Sequence, residues 1–342
     1  MSIKHLKNIP LSTISTFRLG GIAKEVVILE NEDDIVQFFE HLHADKKWFI
    51  LSGGSNVVFP DGDCDALVVK YTAQNVVFEN EKDNKVHVVS DAGVVWDEFV
   101  NMAVQKGLSG LEALSAIPGL VGSTPIQNVG AYGAEIKDTL VSLRAYNYKE
   151  KKFVTFSNAE CAFGYRDSIF KHEARNTYLI TSVTFALSTL APKIPQYLGV
   201  AEYFSAQNIA NPSLLDIRNA IISIRASKLP NPHDIASVGS FFKNPIVSKE
   251  KGEQLKKDFS TLSVFSVDDT HAKIGAGSMI DTLGWKGKKI GNFSFYKGNA
   301  MVIVHEGGGS REELSRLIQT LNQELLLKYG IELEPEPELV NF

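Results

Sequence analysis

Apolar residues at 35, 36, 38, 39 and 42 follow the acidic start at Asp33, and this spacing predicts a helix from Asp33 to His43. The runs Val26-Val27-Ile28-Leu29 and Trp48-Phe49-Ile50-Leu51 on either side read as buried strands. About the first 70 residues therefore form a small βαβ unit. It ends in Leu51-Ser52-Gly53-Gly54-Ser55-Asn56, a turn of the kind where ligands sit in α/β units. Val86-His87-Val88-Val89 opens a second section, followed by a helix from Val94 to Val104 with apolar residues at 95, 96, 99, 100 and 103, stopped by Gly107. Strand-like runs return at Leu140 to Tyr146 and Tyr178 to Leu187, so this section is mainly β with loops. A polar stretch from Lys193 to Pro212, broken by prolines, precedes a helix at Leu214 to Arg225. From Ala226 onward Gly-rich turns alternate with short strands. Ser310-Arg311-Glu312-Glu313 is then a capping box opening a helix that Gly330 closes. The pattern predicts an α+β protein in three parts.

Composition narrows the classes. The 342 residues carry 35 Lys plus Arg against 40 Asp plus Glu, a net charge of −5, which argues against holding nucleic acid or anionic membranes by charge. No window of 18 apolar residues exists, and Met1 to Lys7 lead into no apolar segment of a secretory signal. The two cysteines, Cys64 and Cys161, make neither a disulfide framework nor a metal cluster. A cytoplasmic protein without a structural metal is expected.

Gly107, Gly110, Gly119, Gly122, Gly130 and Gly133 crowd into one short stretch, a density that marks backbone close to a ligand or in positive φ. The almost uncharged run from Gly119 to Gly133 favours ligand contact. The Ser52 to Asn56 turn can cradle a diphosphate through its N–H groups, the Ser55 hydroxyl and the Asn56 amide, or can be a plain glycine turn. Two such loops imply an extended ligand lying across a domain junction, and a dinucleotide has that shape. Arg166, in Tyr165-Arg166-Asp167-Ser168, reads by itself as the surface or structural ion pair that a lone Arg beside an Asp most often makes. Ser240, in Gly239-Ser240-Phe241-Phe242-Lys243-Asn244-Pro245, reads as a capping residue or a proton donor in a tight turn entering a strand. Glu332, Glu334, Glu336 and Glu338 alternate like the solvated face of an edge strand.

Taken in order, Ser15-Thr16-Phe17-Arg18-Leu19-Gly20-Gly21, Gly53-Gly54-Ser55-Asn56-Val57, Gly110-Leu111-Glu112 through Ile117-Pro118-Gly119, Pro125 through Gly133, Phe163 through Lys171, and Gly239 through Pro245 resemble the UDP-N-acetylenolpyruvoylglucosamine reductase family, over nearly the whole chain. The resemblance implies a two-part FAD-binding region of the vanillyl-alcohol-oxidase type and a C-terminal α+β domain for the UDP-sugar. The expected spans are 1–72 and 73–225 for FAD and 226–330 for the substrate, with the tail 331–342 near the first.

It further implies that NADPH reduces the flavin, which then passes hydride to the enolpyruvyl group. The flavin contacts are expected from Gly53, Gly54, Ser55, Asn56, Pro118, Gly119, Gly122, Ser123, Asn128, Gly130, Ala131 and Tyr132. Arg166 would face the negative charge that develops on the carboxylate-bearing half of the substrate, Ser240 would give the proton, and Glu336 would assist. Glu338 offers a second register for that acid. Tyr165, Lys228, Asn244 and the lid residue Tyr197 of the family's longer-loop class would bind the UDP-sugar, and the enzyme would act as a monomer. The chain departs from the family pattern in Ser278, where Trp is expected, and Tyr296, where His is common. A different reading is another FAD oxidoreductase of the same fold acting on a sugar or hydroxy acid.

Overall fold

Asn31 caps the helix Glu32–His41: its side-chain oxygen accepts from the Asp34 N–H at 2.9 Å, and three acids fill the first turn. That helix belongs to a computed structural model that describes residues 3–43 and 45–341. Met1, Ser2 and Phe342, on which the leader-free start and the outer limits of the expected domains partly rest, lie outside the described residues. The chain divides into two units: Met1–Ile9, Ala23–Gly53 and Asp65–Arg225 form one, and Pro10–Ile22, Gly54–Cys64 and Ala226–Phe342 the other.

In the first unit a four-stranded sheet has the order Lys4–Pro10, Ile22–Leu29, Leu67–Tyr71, Trp48–Ile50. The expected βαβ unit is present with one strand slotted into it. Leu67–Tyr71 pairs in parallel with both neighbours, Val69 opposite Val27 and Val68 opposite Phe49. Its apolar run suits a central strand covered on both faces.

A five-stranded antiparallel sheet follows in the order Lys152–Ser157, Leu140–Asn147, Tyr178–Ser188, Lys85–Asp91, Val76–Phe78. The helix Trp96–Gln105 buries Trp96, Phe99, Val100, Ala103 and Val104. These sit at i, i+3, i+4, i+7 and i+8, the stripe that faces a core. The buried Trp96 indole N–H donates to the Leu114 carbonyl at 2.9 Å. One contiguous core draws on both sheets and this helix.

The stretch 193–212, read from the sequence only as polar and broken by prolines, contains the helix Leu198–Ala206. Only Val200 and Phe204, one turn apart, are buried on it. They join Ile217, Ala220, Ile221 and Ile224 of the helix Leu214–Lys228 in a small separate core.

In the second unit the sheet order is Ser237–Ser240, Val302–His305, Phe293–Phe295, Lys289–Ile290, beside a three-stranded sheet of Ile246–Ser248, His271–Ile274 and Val264–Ser266. Ser310 caps the helix Arg311–Tyr329, accepting from the Glu313 N–H at 3.0 Å, but the expected capping box is only half made because the Glu313 carboxylate accepts from the Asn292 N–H at 2.7 Å instead; Gly330 ends the helix at φ +65°. The helices Lys249–Asp258 and Ala276–Thr282 were not expected; the first buries only Gly252 and Leu255, too little for a visible stripe.

Residues 10–22 and 54–64, which the sequence groups with the first 72, pack in this unit. Phe17, Leu19 and Val58 lie in its core, Phe17 stacks on Phe293 at 6.0 Å, and Arg18 donates to the Pro232 carbonyl at 2.9 Å. The acidic tail is a strand only at Glu338–Leu339, which pairs in parallel with Val57–Val58. Prolines 335 and 337 explain this, since each lacks the N–H a ladder needs. No helix among the described residues is long and apolar enough to cross a membrane.

Candidate active site

In the first unit the two glycine-rich stretches touch. A Cβ on Gly53 would lie 3.0 Å from the Gly119 Cα, and Gly119 itself sits at φ +127°. Its carbonyl accepts from the Trp96 N–H at 3.0 Å, so the loop also closes the start of the Trp96–Gln105 helix. Pro118 is exposed, and Gly119 is half-buried. Beyond it the chain is not the open loop that its composition suggests. Val121–Gln127 winds into a 3₁₀ helix, Ser123 donates to the Leu120 carbonyl at 2.8 Å, and a Cβ on Gly122 would meet the Ala92 Cβ at 2.4 Å. Gly122 thus serves the close approach of chain to chain. Gly130–Ala131 then pairs with Ala134–Glu135 across a turn in which Tyr132 takes φ +52°.

Beside Gly53, the Ser52 hydroxyl is buried and has no hydrogen-bond partner among the described residues. Such a group costs about 1 to 3 kcal/mol until something satisfies it. An orphaned hydroxyl next to smooth backbone fits the polar ribityl-diphosphate stretch of FAD. Ser52 lies inside the expected turn, where nothing in the local pattern separates it from its neighbours.

Arg166 sits in the same unit on a two-residue turn closed by the Gly164 N–H to Asp167 carbonyl bond at 3.0 Å. Its φ of +54° is in the left-handed region, a strain that non-glycine residues bear mainly where surrounding contacts impose it. The guanidinium carbon lies 5.4 Å from the centre of the Tyr165 ring, and Nη1 would be 3.4 Å from a Cβ on Gly130. Asn128, fully buried at φ +46°, donates through Nδ2 to the Gly164 carbonyl and to Glu135 Oε2, both at 2.9 Å, and accepts from the Lys137 N–H. Its side chain is thus committed to the chain.

Arg225 donates through Nε to the Ala116 carbonyl at 3.2 Å. Burial and the like charge of Arg166 hold it below the usual arginine range, against the opposing pull of Tyr132 and Asp97. The Tyr132 ring meets Tyr197 edge-on at 5.0 Å, and Tyr197 stands at the start of the helix Leu198–Ala206. Arg225 was not singled out in the sequence, where a lone Arg at the end of a helical pattern carries no signal.

The second unit contributes a separate group. Ser240 ends the strand Ser237–Ser240 instead of following a turn into one; the turn is Gly239, at φ +74° with open space where its Cβ would be. No described residue hydrogen-bonds the half-buried Ser240 side chain. The tail runs antiparallel beside the next residues. Glu336 N–H donates to the Phe241 carbonyl and Lys243 N–H to the Glu334 carbonyl, both at 2.9 Å, with Phe242 bridged to Pro335. Lys243 Nζ is held by Glu334 at 2.6 Å.

Glu338 is tied elsewhere, its N–H donating to the Asn56 carbonyl at 2.9 Å. The Asn56 amide reaches the Glu336 carbonyl at 3.5 Å, next to the half-buried Ser55. Gly54 at φ +67° has the Ile14 carbonyl 2.1 Å from the place of a Cβ, and its own carbonyl accepts from Thr16 N–H at 3.0 Å. Asn244 Oδ1 accepts from Ala276 N–H at 2.9 Å, and Lys228 is exposed. No group of His, Cys, Asp and Glu among the described residues could hold a metal ion.

Comparison with known proteins adds the following. A family model described as UDP-N-acetylenolpyruvoylglucosamine reductase, C-terminal domain, matches residues 231–340, and one described as FAD binding domain matches residues 23–155. A protein of Flavobacterium johnsoniae named UDP-N-acetylenolpyruvoylglucosamine reductase is 38% identical over 334 residues, covering 97% of this chain and 98% of its own. One of the same name from Ralstonia nicotianae is 39% identical over 334 residues, covering 97% and 98%. The crystal structure of the reductase of that name from Thermus caldophilus superposes with a TM-score of 0.68 over 100% of both chains at 20% identity, a likeness of fold.

Proposed function

Because the chain belongs to the UDP-N-acetylenolpyruvoylglucosamine reductase family, we propose that Arg166, Ser240 and Glu336 carry its chemistry. The reaction is the NADPH-dependent, FAD-mediated reduction of the enolpyruvyl group of UDP-N-acetylglucosamine enolpyruvate to UDP-N-acetylmuramate, a step of peptidoglycan precursor synthesis. Bound FAD supplies the hydride relay from NADPH to the vinyl carbon. Everything else falls to the chain.

Hydride addition leaves negative charge on the carboxylate-bearing half of the substrate, which becomes enediolate-like. A planar, permanently charged guanidinium aimed there is the direct remedy, and Arg166 has that fork on a turn its surroundings hold fixed. Ser240 gives its hydroxyl proton to the carbon bearing the carboxylate. The observation that carries this assignment is the unpaired Ser240 side chain at a strand end, with Glu336 N–H bonded to the carbonyl of the very next residue. That register favours Glu336 over Glu338 as the assisting acid. An ionised Glu336 repels an enediolate, so it works protonated or bridged to a cation.

FAD is held by the smooth backbone of Gly53, Gly54, Pro118, Gly119, Gly122, Gly130 and Ala131, with Ser52, Ser55, Asn56, Ser123 and Tyr132 supplying polar contacts. Tyr165, Tyr197, Lys228 and Asn244 bind the UDP-sugar. Residues 1–72 and 73–225 serve the flavin and 226–330 the substrate, with the tail 331–342 paired to Val57–Val58, which pack in the second unit. On the same reading the enzyme is cytoplasmic, where its charged, water-soluble substrates are, and it acts as a monomer. The test is product formation: flavin-loaded protein given NADPH and UDP-N-acetylglucosamine enolpyruvate yields UDP-N-acetylmuramate, and failure to consume the sugar nucleotide overturns the reading.

A further inference from the structure

Arg166 sits in a conformation that its own sequence does not favour, so something else must hold its turn. Left-handed backbone is uncommon for a long side chain, and a two-residue turn on the surface of a loop has ample freedom to relax. Two bonds prevent it. At one end, the Gly164 carbonyl accepts from Asn128 Nδ2 at 2.9 Å. At the other, the Ser168 hydroxyl, buried, donates to the Ile126 carbonyl at 2.7 Å. The turn is therefore fastened at both flanks to residues 126–128.

The Asn128 anchor is itself fixed. Its second Nδ2 hydrogen goes to Glu135 Oε2 at 2.9 Å, its Oδ1 accepts from the Lys137 N–H at 3.2 Å, and Lys137 Nζ pairs with Glu135 Oε2 at 2.7 Å. Glu135 N–H in turn donates to Asp138 Oδ2 at 2.8 Å. With every donor and acceptor matched and the residue fully buried, the amide has one orientation: the nitrogen faces Gly164. Glu135 Cγ and Arg166 Nη1 stand on the same face of Gly130, 2.7 Å and 3.4 Å from the place of its missing Cβ.

We infer that Asn128, oriented by Glu135, is a positioning residue for Arg166: it sets where the guanidinium stands against the developing carboxylate charge and touches neither flavin nor substrate. This rests on the reading of Arg166 given above, and predicts a defect confined to the half of the cycle that Arg166 serves.

The test uses the flavin-loaded enzyme and resolves the two half-reactions by rapid mixing. Asn128→Asp keeps the shape and the tolerance for left-handed backbone but replaces both donors with an acceptor facing Gly164 and Glu135. Flavin content and flavin reduction by NADPH should stay near those of the parent. Flavin reoxidation by the UDP-sugar should slow by about 10- to 100-fold, the usual cost of a small misplacement. Affinity of the oxidised enzyme for the UDP-sugar, read by calorimetric titration, should change far less. Adding Glu135→Gln to Asn128→Asp restores one donor between the two side chains in the reverse sense and should recover part of the rate.

Arg166→Ala is the reference. If it slows reoxidation while Asn128→Asp does not, or if Asn128→Asp damages both half-reactions and flavin content alike without rescue, the positioning role is wrong. If Arg166→Ala itself reoxidises at the parent rate, the fault lies in the reading of Arg166 and the inference falls with it.

Discussion

Gly53 and Gly119 meet backbone to backbone: a Cβ on the first would lie 3.0 Å from the Cα of the second. Two loops that the sequence marks separately are thus one structure. Gly53→Val should force them apart, costing about 1 to 3 kcal/mol of stability by overpacking, and should lower the flavin content of the purified protein. Gly122→Val, whose Cβ would meet the Ala92 Cβ at 2.4 Å, should destabilise flavin-free protein too, because the clash is with the chain. Melting temperatures with and without FAD check both. An unchanged melt for flavin-free Gly122→Val would mean that its side chain points into the ligand instead.

Ser240→Ala removes one oxygen at a place left open by Gly239, so fold and flavin binding should survive. Flavin reduction by NADPH should stay near the parent rate while steady-state turnover falls by about 10² to 10⁴, the share of a positioned acid. Ser240→Cys should recover part of the loss. Turnover of Ser240→Ala within a few-fold of the parent would make the hydroxyl a packing atom.

Tyr197→Phe keeps the edge-on contact with the Tyr132 ring and loses only the hydroxyl. The Michaelis constant for the UDP-sugar should rise by the equivalent of about 1 kcal/mol, with flavin reduction by NADPH unaffected. Equal loss in both half-reactions would show general damage to the Leu198–Ala206 helix.

Asp97 and Arg218 form a bidentate pair at 2.7 and 2.8 Å, and Asp97 also accepts from the Ala116 N–H at 2.6 Å. Burial pulls the Asp97 carboxyl up, but the Arg218 and Ala116 hydrogen bonds outweigh it and hold the group below its ordinary value. A carboxyl depressed in the folded state stabilises fully above its unfolded pKa of about 4, and that contribution is lost as pH falls through the lowered folded value. Asp97→Asn should therefore lower stability at neutral pH and flatten the loss below about pH 4. Arg218→Ala strands a carboxylate and should cost about 2 to 4 kcal/mol, discounted because Asp97 is partly open to water. Denaturant melts across that pH range measure both, and an acid limb unchanged in Asp97→Asn would remove the pair from the account.

Much of this was legible in the chain because the signals are local. The stripe on Trp96–Gln105, the Ser310 cap and Gly330 stop, and the glycine crowding each depend on residues a turn or two apart. The helix Leu198–Ala206 escaped because two buried residues make no stripe. The grouping of residues 10–22 with the second unit escaped because Phe17 against Phe293 is a pairing across 276 positions. The site divides the same way. Gly-rich loops announce themselves, whereas Asn128 held by Glu135, Arg225 on the Ala116 carbonyl, and Glu336 beside Phe241 depend on which chain returns to which.

The most direct test is the absorbance of the flavin itself, followed anaerobically by rapid mixing. The purified protein should be yellow, bleach on NADPH, and regain its colour on UDP-N-acetylglucosamine enolpyruvate as one UDP-N-acetylmuramate forms for each flavin reoxidised. A protein that purifies without flavin and binds none, or whose NADPH-bleached flavin stays bleached in the presence of that sugar nucleotide, would contradict the account.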